Sequence, residues 1–181
     1  MKKQIEKAKP NQGNNEESGL KTLFIDELRD ILWAEKHLVK ALPKMAKGAT
    51  SEELRSSIEQ HLIETENQIT RLEKVFEIVG QKATAKKCEA MEGLVEEGKS
   101  LMEDTEDGTL TRDAALISAQ QKIEHYEIAS YGTLRTLANT LGLSEAASLL
   151  EETLEEEKKT DVLLTQIAEA FINESAKAEK E

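Results

Sequence analysis

Residues 24–45, FIDELRDILWAEKHLVKALPKM, follow the alternating four-three spacing of a helix with one apolar stripe: Phe24, Leu28, Ile31, Leu38, Leu42 and Met45. The same spacing calls for an apolar residue at 35, where the chain carries Glu35. A carboxylate in the seam of a core helix either interrupts packing or serves something inside the fold. The rest of the chain helps to choose between these.

The 181 residues are enough for one domain with a real core. Nine glycines, two prolines, 3% aromatics and an abundance of Leu, Ala, Glu and Lys point to an all-helical chain. A net charge of −12 argues against sequence-independent nucleic-acid binding, which needs a basic surface, and favours attraction of cations. The single cysteine, Cys88, precludes an internal disulfide and suits a reducing cytoplasm. No secretory h-region or bilayer-spanning apolar run is present, so no membrane partner is expected. The polar residues 1–18 are expected to form a flexible tail, 19–174 the folded domain, and 175–181 a second flexible tail.

Four long helices are legible. Helix A spans about 20–46 and stops near Gly48. Helix B begins after Thr50 or Ser51 as N-cap and ends at Gly80; helix C begins at Thr111, its expected cap, and ends at Gly142; helix D is expected to be capped by Ser144. A–B and C–D are joined by a few residues and must be antiparallel neighbours, whereas B–C takes roughly 30 residues that include a short helix around 86–103. Two hairpins joined by one long crossover form the ferritin-like antiparallel four-helix bundle; an up-down-up-down bundle would need no crossover.

Projection at about 100° per residue places further acids on inward faces. On helix C, Ile117, Ile128 and Ala138 mark the buried side, Glu124 falls at its middle with Tyr131 and Arg135, and Glu127 and Gln121 flank it. On helix D, Glu157 interrupts the stripe Leu150, Leu154, Leu164, Ala168 and Phe171, and Asp161 follows one turn on. On helix B, His61, Thr65 and Gln68 lie on or near the apolar face, and Glu64 is at its border. Carboxylates that converge at one height need a positive charge between them, which a pair of divalent metal ions supplies. The alternative is a buried polar layer in which Arg71 and Arg135 pair with the acids and fix helix register. His37 and His125 are expected at the surface, Cys88 as a buried small residue, and Tyr131 as a donor pointing inward.

The segments FIDELRDILWAEKHLVKALPKMA, HLIETENQITRLEKVFEIVG, KKCEAMEGLVEEG, DAALISAQQKIEHYEIASYGTLRTLA and LLEETLEEEKKTDVLLTQIA resemble, in this order, the YciE/YciF-type ferritin-like family of bacterial stress proteins, within the rubrerythrin/ferritin-like superfamily. The resemblance covers about residues 20–170, and KIEHYEIASYGTL with CEAMEGL is its most specific part. It implies a ferritin-like bundle with an extra crossover helix, a homodimer, a bacterial cytoplasm and kinship with di-iron carboxylate proteins. In those, helices A and C each give a glutamate and helices B and D each give an ExxH pair. Glu35 and Glu124 match the A and C ligands, and Glu64 and Glu157 match the first halves of the pairs, but Asn67 and Thr160 stand where the histidines belong. His61 and Asp161 are the expected substitutes, with Gln68, Glu127, Tyr131 and Arg135 supporting the ligands. An oxygen-rich set of this kind favours manganese, or binds iron weakly; the resemblance implies iron or manganese in a dinuclear centre and a role in stress response. The reactions open to such a pair are oxidation of Fe(II) by oxygen and consumption of peroxide, as a di-metal oxidoreductase. The rival is a metal-free dimeric scaffold with a relic site.

Overall fold

The computed structural model describes residues 18–179; the tail expected at 1–18 lies outside them except for its last residue, Ser18. Six α-helices follow in order: α1 (Gly19–Gly48), α2 (Glu52–Ile78), α3 (Glu89–Asp104), α4 (Leu110–Thr140), α5 (Ser144–Ile167) and, after a π-helical turn at Ala168–Ile172, the short α6 (Asn173–Ala176). No described helix is long and apolar enough to cross a membrane.

The starts and stops follow from local chemistry. Ser18 and Ser51 cap α1 and α2 by accepting from Lys21 N (3.3 Å) and Leu54 N (3.4 Å). Gly80 and Gly142 take φ of +69° and +75°, which lets Gln81 N and Leu143 N reach back to Phe76 O and Ala138 O, each at 2.9 Å, and close the ends of α2 and α4. Two expected caps fall elsewhere. Thr109, not Thr111, caps α4: Gly108 turns the chain at φ +80°, Thr109 is the last extended residue, and its hydroxyl accepts from Arg112 N at 3.2 Å. Ser144 is already the first residue of α5, whose cap position is Leu143 with no side-chain hydrogen bond.

α1 and α2 form one antiparallel hairpin, α4 and α5 the other; α1 packs on α4 and α2 on α5. The buried carboxylate of Asp113 sets the relation between the hairpins. Its two oxygens accept from Thr50 N and Ser51 N, each at 2.7 Å, while Thr50 Oγ1 donates to Thr109 O at 3.0 Å. The start of α4 is thereby tied to the start of α2. The crossover therefore runs the length of the bundle, as the ferritin-like arrangement requires. On the way α3 packs on α4 and α1, and buried Cys88 caps it by accepting from Met91 N at 3.3 Å.

The core follows the expected stripes with two departures: Ile128, expected to mark the buried side of α4, is only half-buried, and α5 changes register near its end. Leu150, Leu154, Leu164 and Ala168 are buried, but Phe171 is 38% exposed and Ile172 is fully buried. The π turn inserts one residue into the α-helical count, so the inward position passes from 171 to 172. The last two residues of α6 fall within the end expected at 175–181, and Glu179 accepts from Leu110 N (2.7 Å) and Thr111 N (2.9 Å) at the head of α4. Arg135, expected on the core face, is half-buried and turns to Glu151 at 2.7 Å.

The change of register gives a direct expectation. Ile172→Ala should cost about 2–5 kcal/mol by urea unfolding, as deletion of a buried branched side chain does, whereas Phe171→Ala should cost well under about 1 kcal/mol. Equal costs would mean that the helix keeps its α register to the end.

Candidate metal centre

At mid-height every long helix turns a polar side chain to the axis of the bundle. α1 gives Glu35; α2 gives His61, Thr65 and Gln68; α4 gives Gln120, Glu124, Glu127 and Tyr131; α5 gives Thr153, Glu157 and Thr160. Glu35, Glu124, Glu127 and Glu157 have no solvent exposure and His61 has 1%. On α2 and α4 these residues recur at intervals of three and four, so they occupy the positions that apolar side chains hold one turn above and below.

One potential ligand atom from each of His61, Glu124, Glu127 and Glu157 lies within 4.8 Å of the others, a cluster that can hold a metal ion. Glu35 adjoins it and accepts from the Tyr131 hydroxyl. Gln68 donates to Glu157 and, at 3.1 Å, to Glu156; Gln120 donates to Glu124 at 3.3 Å. His61 Nε2 comes within 3.4 Å of Glu124 Oε1 without the alignment of a hydrogen bond. Many polar atoms here have no partner within the protein: one oxygen each of Glu35, Glu124 and Glu157, both of Glu127, both ring nitrogens of His61, and the side-chain oxygens of Gln68 and Gln120. So many orphaned atoms at one point of a native interior need an explanation, and a coordinated cation is a sufficient one.

Arginine pairing does not provide it. Arg71 faces outward, holding Glu156 through two bonds of 2.9 Å, Thr153 at 2.7 Å and Glu152 at 3.3 Å. Arg135 pairs with Glu151. Among the described residues no lysine or arginine forms an ion pair with Glu35, Glu124, Glu127 or Glu157. Burial accordingly pushes the Glu35, Glu124 and Glu127 carboxyls well above the usual range, and repulsion among Glu35, Glu124, Glu127 and Glu157 adds to it. Glu157 is pushed up to about 7, first by burial, while bonds from Glu124 and Gln68 pull it back. Burial lowers His61 to about 4, so its ring is neutral and able to ligate near pH 7. With no cation the acids must keep protons; a metal ion would displace them.

The candidate residues read from sequence divide clearly. Glu35, His61, Glu124 and Glu157 come together, with Tyr131 and Gln68 against them. Glu127, expected only to support the ligands, is inside the cluster. Glu64 lies outside it, half-buried at the edge of α2 and accepting from Gln60 at 3.0 Å. Asp161 also lies outside it, accepting from Gln121 at 3.0 Å and 3.3 Å from the exposed His125. The inward pair on α2 is Thr65 and Gln68, which mirrors Glu157 and Thr160 on α5 at the same spacing of three.

Residues 19–177 match the family model described as "Domain of unknown function (DUF892)". Protein YciF of Escherichia coli (strain K12) is 50% identical over 158 residues, 87% of this chain and 95% of its own length. The crystal structure of the E. coli stress protein YciF matches with a TM-score of 0.82 at 49% identity, over 87% of this chain and 99% of that one. YcfI from Rhodopseudomonas palustris matches with a TM-score of 0.79 at 38% identity, over 84% and 97%.

The buried acids dictate the pH dependence of the metal-free protein. Glu157 and its neighbours bind protons in the fold that they release, near pH 4.3 or so, when unfolded, so their contribution is lost as pH rises through about 7 and beyond. His61 acts in the opposite sense, but only between about pH 4 and about 6.5. Chelator-treated protein should therefore lose stability as pH rises from about 6.5 through about 7 and above in urea titrations. The loss should shrink when Glu35, Glu124, Glu127 and Glu157 are changed together to glutamine; a flat profile in the unsubstituted protein would refute this.

Proposed function

This chain belongs to the DUF892 family, and on that premise we propose that it is a stress-associated metal-binding protein that holds iron or manganese, as a dinuclear centre, inside its helical bundle. The observation that carries this is the fully buried set of four glutamates and one histidine with no lysine or arginine against it. His61, Glu124, Glu127 and Glu157 would supply one ion, and Glu35 adds the carboxylate that a second ion requires. One neutral nitrogen among so many oxygens is a hard donor set, which suits Mn(II) and Fe(II) better than softer cations. The association with stress rests on the description of E. coli YciF as a stress protein.

Such a metal pair, when bound, would supply one-electron redox chemistry toward oxygen or peroxide. The chain's own part in it is defined by its geometry. The carboxylates can bind through one oxygen or two and so follow a change of metal charge. Tyr131, buried and donating to Glu35, orients that carboxylate and can exchange a proton with it. Gln68 and Gln120 each hold one oxygen of Glu157 and Glu124 and leave the other without a partner in the protein. Leu32, Leu72 and Ile123 are fully buried among the core residues and exclude bulk water. We further take the protein to act as a cytoplasmic homodimer. The exposed Leu23, Ile63, Val162 and Leu163, at 42–54% exposure, are apolar surface that a second copy can cover.

A metal-free scaffold remains the competing reading, because protons shared within the pairs Glu124–Glu157 and Glu35–Glu127 can also neutralise the cluster. Elemental analysis after anaerobic loading with Fe(II) or Mn(II) and desalting separates the two. The metal reading expects about two ions per chain, lost in Glu124→Gln combined with Glu157→Gln. It also expects a stabilisation of about 2.7 kcal/mol at a hundredfold excess of metal over its dissociation constant. Persistently metal-free protein, with glutamine variants as stable as the original or more so, would establish the scaffold.

A further inference from the structure

A cluster with no solvent exposure needs a way in. On the outer face of the α2–α5 seam lies a groove of about 180 Å³, lined by Ser57, Gln60, Glu64, Glu156, Lys159, Thr160 and Leu163. Its inner residues stand one turn from cluster residues on both helices. Ser57 stands one turn before His61 on α2, and Thr160 three residues after Glu157 on α5. The groove between α1 and α2, by contrast, is lined mainly by Leu42, Ala46, Ile58 and Leu62, and its one carboxylate, Glu59, shares it with the cations Lys47 and Arg55.

Three features of the α2–α5 groove suit a cation in transit. Ser57 is only 9% exposed, yet its Oγ has no hydrogen-bond partner in the protein, although it lines the groove just above His61. That is an oxygen available to a hydrated ion. At the mouth, Glu156 is already engaged by Arg71 and Gln68, whereas Glu64 is held only by the neutral amide of Gln60. The charge of Glu64 is also felt at Glu157, which places the mouth and the centre within electrostatic reach of each other. Lys159 lines the same mouth and opposes Glu64.

We infer that the α2–α5 groove is the entry route for divalent cations to the buried centre, with Glu64 drawing them in, Ser57 passing them to His61 and Glu157, and Lys159 setting a barrier at the mouth. This rests on the metal reading above and gives Glu64 a role outside the ligand set. The route is used by an aquo cation that exchanges water for the oxygens of Glu64 and Ser57, and then for the ligands of the centre. Charge at the mouth therefore governs the rate of loading and not the number of ions held at the end.

The test is stopped-flow or freeze-quench loading of the chelator-treated full chain with Mn(II), read as the loss of the aquo-Mn(II) resonance, with thermal melts to confirm folding. Glu64→Lys should slow loading at least about tenfold at low ionic strength and Lys159→Glu should speed it, both ending at the unsubstituted count. The differences should collapse at about 0.5 M salt. Glu96→Lys, the same charge change in the groove between α1 and α3, should leave the rate within about twofold. Unchanged rates in both Glu64→Lys and Lys159→Glu, or equal slowing by Glu96→Lys, would overturn the route while leaving the centre intact. A lower final count in Glu64→Lys would make Glu64 a ligand and also overturn it. Unsubstituted protein that takes up no Mn(II) or Fe(II) would defeat the metal reading itself, and the route with it.

Discussion

Four carboxylates buried at one height, with no lysine or arginine against them, are the constraint on which the rest of this bundle depends. An isolated ionised carboxylate in a dry interior costs several kcal/mol in rough terms, and four near one another cost more than their sum. The protein must therefore hold protons or a cation at its centre. Everything around the cluster is arranged to keep the acids there: leucines, isoleucines and phenylalanines close it above and below, and amide groups from Gln68 and Gln120 and the hydroxyl of Tyr131 fix individual oxygens.

A destabilising centre has to be offset elsewhere, and the fold shows where. Asp113 bridges the start of α4 to the loop before α2 with two short charge-assisted bonds, which locks the relation of the two hairpins. Gly80 and Gly142 close two helices in the same left-handed manner. Arg71, the cation nearest to being a counter-ion, is instead committed to Glu152, Thr153 and Glu156 on the outer side of the seam. Had it turned inward, it would have offset one of the four carboxylates. Its outward commitment leaves the charge of the centre unbalanced.

The bundle was legible because its signals are local and strong. Short and long connections, Ser51 and the terminal glycines mark the helices and their pairing, although Thr111 and Ser144 are not the caps of α4 and α5, and Glu35 stands out as a break in an otherwise regular stripe. The site was only partly legible, for geometric reasons. On α4 the apolar Ile128 drew the expected stripe to one side, but Ile128 is only half-buried and the buried stripe runs through Leu116, Gln120, Glu124, Glu127, Tyr131, Leu134 and Ala138, with Glu127 on it. On α2 the polar residues His61, Thr65 and Gln68 continue the stripe of Leu54, Ile58, Leu72 and Phe76 in regular steps of three and four. That regularity was the available signal. A search for an ExxH pair drew attention instead to Glu64, one residue and about 100° away, enough to move a side chain from the axis to the edge of the helix. Phe171 was misplaced by a π turn, a one-residue insertion that hydrophobic spacing does not reveal.

The pairing of Thr65 and Gln68 with Glu157 and Thr160 bears on what kind of centre this is. Both inward pairs lie on the second helix of a hairpin, at the same spacing, yet one is neutral and the other contains a single acid. A centre built from two equivalent halves would have equal charge on α2 and α5; here the acids are concentrated on α1, α4 and α5, and α2 contributes a neutral histidine and an amide. Ions in such a site would sit in unequal fields, with tighter binding on the side of Glu124, Glu127 and Glu157 and weaker binding toward Glu35. Unequal affinity follows from the charge distribution alone, and it separates this arrangement from a symmetric di-metal bundle before any reaction is considered.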